Sequence, residues 1–124
     1  MARGKGLVWA GRIISGIVAL PLVLSAFLKM KGGLAIDQGF AHLGLPTSLA
    51  LPLALLELSC LVIYLIPATS VLGAILLTGY MGGAICTHLR VGDPFVVQIG
   101  IGVAAWLGIF LRDARLGDLI PLRK

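Results

Sequence analysis

The stretch Thr47–His88, TSLALPLALLELSCLVIYLIPATSVLGAILLTGYMGGAICTH, decides the fold class. It holds one formally charged residue, Glu57, and divides at Pro67-Ala68-Thr69 into two apolar runs, Thr47–Ile66 and Ser70–His88. At about 1.5 Å per residue, either run forms a helix that crosses a hydrocarbon core of about 30 Å. The connection between them is short and uncharged, which predicts a tight antiparallel hairpin. Working outward, Leu7–Leu28 and Phe95–Leu111 repeat the same apolar composition. The expected fold is all-α, an integral membrane bundle of four transmembrane helices. One domain is expected over residues 1–124, because the length leaves no room for a second.

Composition supports this reading. The hydrophobic share is 59% and the charged share 12%, about half the charge of an ordinary soluble domain. Too few polar groups exist to cover a water-facing surface, whereas lipid tolerates such a chain. The net charge of +5 is carried near the ends of the apolar runs. That placement fits orientation signals and lipid-phosphate contacts, and no nucleic-acid partner is expected.

The ends of the runs carry helix signals. Thr47 after Pro46, Ser70 after Pro67, and Asp93 before Pro94 all offer N-cap chemistry. Lys29, Lys31, Gly32 and Gly33 stop the first run, and Pro21 and Pro52 lie inside spans. The first run is longer than a signal-peptide core, contains Arg12, and lacks a small-residue cleavage pattern, so it is expected to be retained. In the long first connection, Leu34, Ile36, Phe40 and Leu43 mix with Asp37, Gln38 and His42, which predicts a short interfacial helix in the first outer loop. Arg3, Lys5, Arg12, Arg112, Arg115, Arg123 and Lys124 fall on one side, and Lys29, Lys31 and Arg90 on the other. The bias places both termini in the cytoplasm of a bacterial-type inner membrane. Trp9, Tyr64 and Trp106 then fall near the inner interface, and Phe40 and Phe95 near the outer one. No internal repeat supports a two-halved transporter.

Ionisable residues inside spans are expensive, which makes Arg12 and Glu57 functional candidates. Measured from the inner helix ends, Arg12 lies at about 7 Å, Glu57 at about 13 Å and Tyr80 at about 15 Å. Arg12, Glu57 and Tyr80 are therefore expected to meet in an intramembrane polar site, either a fastening for the bundle or a proton or ligand site. His88, at about 27 Å, is out of reach. On the outer face, His42, His88, Arg90 and Asp93 form a second candidate site, with Asp37 near them. No helical pair of ligands at a spacing of four is present, so no metal is expected and solvated loop polarity is the plainer reading. Cys60 at about 9 Å and Cys86 at about 24 Å are too far apart for a disulfide. Gly79-xxx-Gly83 in the third span permits close backbone contact, at an internal seam or in a homo-oligomer.

With these residues in place, the chain resembles the DoxX-like family of small four-helix membrane proteins. The resemblance rests on Ser25-Ala26-Phe27-Leu28-Lys29, Phe40-Ala41-His42-Leu43-Gly44-Leu45-Pro46, Leu56-Glu57-Leu58 and Ile66-Pro67-Ala68-Thr69-Ser70. It rests most of all on Gly73–Ala84 running into Thr87-His88-Leu89-Arg90-Val91-Gly92-Asp93-Pro94. The family takes its name from a quinol-oxidase subunit, and some relatives are linked to membrane oxidoreductase or oxidative-stress complexes. The resemblance therefore implies an accessory role in a redox or quinone-linked membrane complex, and the family pattern singles out Glu57 and His88. Activity as an enzyme in isolation is not expected, and no cofactor is evident from the residues. The rival readings are a small proton-coupled transporter using Glu57 and a structural or assembly protein. The expected partners are the lipid bilayer, a membrane oxidoreductase complex or further copies of the chain.

Overall fold

A computed structural model of the protein describes residues 4–119. Arg3, Arg123 and Lys124, which enter the charge count, lie outside the described residues. Among the described residues six α-helices follow in order: α1 (Lys5–Lys31), α2 (Leu34–Leu43), α3 (Ala50–Leu65), α4 (Ser70–Arg90), α5 (Val96–Arg112) and α6 (Arg115–Leu119). No strand occurs among the described residues. α1 packs on α3 and α5, and α4 packs on the same two, so four helices stand in a ring. Ser15 meets Tyr64 while Ser25 meets Glu57, which shows that α1 and α3 run in opposite directions. One end of the bundle holds the start of α1, the α3–α4 hairpin and the end of α5. The opposite end holds α2 and the α4–α5 connection.

α1, the run Thr47–Leu65 and the run Pro67–Arg90 are each long and apolar enough to cross a membrane, and α5 is a shorter apolar helix of 17 residues. Their outward faces carry large apolar side chains, among them Leu20, Ile75, Val96 and Val103, all more than half exposed. A continuous apolar exterior of this kind suits hydrocarbon as solvent. Inside, Leu22, Leu61, Tyr64, Leu77, Met81 and Ile109 fill the space between the helices.

The expected caps are corrected in detail. Thr47 opens a single 3₁₀ turn and Leu49 is the N-cap of α3, without a side-chain cap. Ser70 is the first residue of α4, and its hydroxyl donates to the Pro67 carbonyl instead. α5 starts after Phe95, which leaves Asp93 free to pair elsewhere. Because α3 begins at Ala50, Pro52 lies in its first turn, where an N–H would have no helical acceptor. Pro21 does lie inside its helix.

The close seams also differ from expectation. A Cβ on Gly79, Gly82 or Gly83 would meet nothing within 4 Å, so Gly79-xxx-Gly83 makes no internal seam. The tight contacts lie at the termini end. A Cβ on Gly73 would come within 2.2 Å of the Tyr64 backbone, which fixes the α3–α4 hairpin. One on Gly11 would come within 2.6 Å of the Gly108 carbonyl and the Arg112 amide, across the α1–α5 seam. Cys60 is buried, Cys86 is exposed, and both are free.

At the loop end, Gly32, Gly33 and Gly44 all have positive φ, which ends α1 and brackets α2 as a separate short helix. Phe40, 6% exposed, is the buried residue of α2, which packs against the Thr47–Leu49 turn.

Candidate functional site

Side chains on a helix lean toward its N-terminus. Lys29, in the last turn of α1, therefore reaches back toward mid-bundle. Glu57, on the oppositely directed α3, leans up toward the loop end. The two meet, with Lys29 Nζ 3.2 Å from Glu57 Oε2. Ser25, one turn before Lys29, donates to the same oxygen at 3.4 Å and accepts from Lys29 Nζ at 2.6 Å. Glu57 is only 2% exposed, and its other oxygen, Oε1, is buried without a hydrogen-bond partner. The Tyr80 phenol stands beside the carboxylate and feels its charge, without completing a hydrogen bond to Oε1. Cys60 follows one turn along α3, also buried.

The expected partnership of Arg12 with Glu57 is corrected. Arg12 lies near the start of α1, so its side chain leans toward the termini end, away from Glu57. It is exposed, and its guanidinium stacks over the Trp9 ring at 5.2 Å. Depths counted along helix axes placed Arg12 and Glu57 close together. The direction of each side chain separates them and delivers Lys29 in its place.

A second polar layer lies nearer the termini. Tyr64, fully buried, donates to the Ala105 carbonyl at 2.7 Å and lies 3.2 Å from the Ser15 hydroxyl. The Arg112 guanidinium covers the Tyr64 ring at 4.8 Å and donates to the Tyr64 carbonyl. Gly108 makes room for both hydroxyls, since a Cβ there would lie 2.7 Å from Ser15 Oγ and 2.8 Å from Tyr64 Oη.

At the loop end, three of the four expected outer-face residues are brought together. His42 Nε2 lies 2.8 Å from an Asp93 carboxylate oxygen, and Arg90 donates to the Leu43 carbonyl. These contacts fasten α2 to the α4–α5 connection. His88 stands apart, its Nδ1 2.7 Å from the Ala84 carbonyl one turn back. Asp37 sits in the first turn of α2, where a helix dipole favours an acidic residue. Among the described residues, no three His, Cys, Asp or Glu side chains gather to hold a metal ion.

A sequence profile of the DoxX-like family matches residues 13–110. The chain belongs to the DoxX-like family. The matched segment contains Ser25, Lys29, Glu57 and Tyr80, the fastened loop end, and all but the outermost turns of the bundle. No curated protein and no solved structure matches the chain.

In this DoxX-like chain, the Glu57 centre combines a fixed charge with spare bonding capacity. Lys29 and Ser25 hold Oε2, while Oε1 has no hydrogen-bond partner. A buried acceptor without a partner is costly, so a neutral molecule bearing a hydroxyl gains by supplying one. Sequence reasoning missed Lys29 and Ser25 here. The signal was present in their spacing of four at the end of a span, combined with the lean of Lys29 toward its helix N-terminus.

Proposed function

We propose that this DoxX-like protein is a multi-pass protein of a bacterial-type inner membrane. It has four spans, including the short α5, and both termini are cytoplasmic. It serves as an accessory subunit of a quinone-linked redox complex, and the Glu57 centre holds a quinol head group. The observation that carries the reading is the unpartnered, buried Glu57 Oε1 beside the Tyr80 phenol. A quinol dissolves in hydrocarbon and offers hydroxyl donors, the chemistry that oxygen lacks. In this reading Tyr80 adds a second hydroxyl beside the head group, and Lys29 keeps the carboxylate anchored through its other oxygen. The apolar exterior and the seven-to-three bias of basic residues in the sequence support the membrane placement.

The test is quinone content after mild-detergent purification, followed by titration of the protein with decylubiquinol. Wild-type protein should bind the quinol saturably, and Glu57→Gln and Tyr80→Phe should each weaken binding about tenfold, as loss of about 1.4 kcal/mol requires. Equal affinity in wild type and Glu57→Gln, with no quinone co-purifying, would rule the quinol reading out. Substrate-driven proton flux into vesicles that is lost in Glu57→Gln would instead favour the proton-coupled transporter.

A further inference from the structure

At the termini end a cavity of about 220 Å³ opens between the first turns of α1, the α3–α4 hairpin and the α5–α6 junction. Arg12, Arg112, Arg115, Asp113, Ser70 and Pro67 line it. Three guanidinium groups thus face one space with a single carboxylate among them. That carboxylate is engaged, since Asp113 accepts from Arg115 through both of its oxygens, at 3.0 and 2.7 Å. Arg115 also donates to the Pro67 carbonyl, which ties the α5–α6 junction to the hairpin.

The ion pairs of Glu57, Asp93 and Asp113 are made with Lys29, His42 and Arg115, not with Arg12 or Arg112. Both hold aromatic rings instead, Trp9 and Tyr64 respectively. Both line the same cavity. The Arg112 Nε–H is buried and has no acceptor, while Nη2 donates to the Tyr64 carbonyl. Like charges brought together around a cavity call for an anion with several acceptor oxygens. Guanidinium forks match the oxygens of a phosphate group in geometry as well as charge. The volume lies below the roughly 300–1,000 Å³ of pockets for drug-sized ligands, which suits a phosphate group and little more.

We propose that this cavity is a binding site for a phosphate group, presented by an anionic lipid head group or by free phosphate. Arg12 and Arg115 supply the exposed side of the site, and Arg112 supplies the buried side. Its position at the end of the apolar exterior, beside the exposed Trp9, is where lipid head groups lie if the helices span a bilayer. The anion site itself stands on the arginine geometry and does not depend on the quinol reading, because Glu57 lies elsewhere in the bundle.

The test uses the full chain in a nonionic detergent, with tryptophan fluorescence as the readout because Trp9 stacks on Arg12. It is titrated with inorganic phosphate, with dihexanoyl phosphatidylglycerol below its micelle concentration, and with dihexanoylglycerol, which lacks the phosphate. Saturable binding of the phospholipid, at least tenfold tighter than inorganic phosphate, supports a lipid source. Saturable binding of inorganic phosphate with equal or greater affinity supports a free-phosphate source. In either case Arg12→Gln, on an exposed side chain, should weaken binding at least tenfold while leaving the melting temperature in place, and Arg115→Gln should weaken binding as far while lowering the melting temperature through the lost Asp113 and Pro67 contacts. Arg90→Gln, which removes the same charge at the opposite end, should leave binding unchanged. A response to dihexanoylglycerol equal to that of the phospholipid, an equal loss in Arg90→Gln, or no saturable binding of either phosphate probe overturns the proposal.

Discussion

Replacing Lys29 by Met removes the cation that holds Glu57, and the structure sets the size of the effect. The two charges lie 3.2 Å apart, with side-chain exposures of 15% for Lys29 and 2% for Glu57. At an effective dielectric constant of 20, their attraction is about 5 kcal/mol. Desolvation of both ions offsets part of that gain, and the partly exposed lysine reaches water more easily than a fully buried one would. Breaking a buried pair from one side typically costs about 3–5 kcal/mol, and the lower end is expected here. Lys29→Met and Glu57→Gln should therefore each destabilise the bundle by about 3 kcal/mol. The double substitution should lose clearly less than their sum, with a coupling of about 2 kcal/mol. Arg12→Met should lie within about 0.5 kcal/mol of wild type, as surface changes usually do. Unfolding of all four variants and the wild type in one detergent, arranged as a double-mutant cycle, measures these quantities. Strict additivity of Lys29→Met and Glu57→Gln would refute the reasoning, as would an Arg12→Met effect equal to that of Lys29→Met.

Further outcomes follow from the packing and from the termini end. Leu77→Ala, at a fully buried position, should lose about 2–5 kcal/mol, and Gly73→Ala should disrupt the α3–α4 hairpin because its Cβ would lie 2.2 Å from the Tyr64 backbone. Gly83→Leu should leave the thermal stability of the monomer nearly unchanged, since nothing lies within 4 Å of a Cβ there, and a loss matching Leu77→Ala would contradict this packing. Hydrogen bonds from Arg115 hold the Asp113 carboxyl below its ordinary value of 3.8. A depressed carboxyl stabilises the fold above its unfolded-state value and loses that contribution as pH falls through the folded-state one. The melting-temperature gap between wild type and Asp113→Asn should therefore stay constant above about pH 5 and close under stronger acid, and a gap that instead widens on acidification would reverse the assignment.

The candidate site was partly legible before the fold was known. Glu57 stood out because a lone carboxylate in a long apolar run is expensive, and Tyr80 was placed at its level by counting residues. The partner was not legible by the same count. Lys29 belongs by sequence to the end of a helix, and counting each residue as a point on a helix axis leaves it away from mid-span Glu57. Arg12 was preferred for the same reason. Similarly, glycine spacing drew attention to Gly79 and Gly83, whereas Gly11, Gly73 and Gly108 make the close contacts. Spacing along one helix reports which residues share a face, but it carries no information on whether a neighbour covers that face.

The all-helical architecture, the apolar runs, the hairpin at Pro67–Thr69 and the separate short helix between residues 34 and 43 were determined by sequence alone. Hydrophobic run length, glycine boundaries and a short connection act locally, so each can be read from neighbouring residues. The ring order of the helices, the Lys29–Glu57 pair, the seating of Tyr64 against Gly108 and the gathering of Arg12, Arg112 and Arg115 were decided only by tertiary structure. Each of these depends on the rotation of one helix about its axis relative to another, together with the lean of side chains toward the helix N-terminus. That rotation is fixed by the packing of all four helices at once, so no single segment contains it.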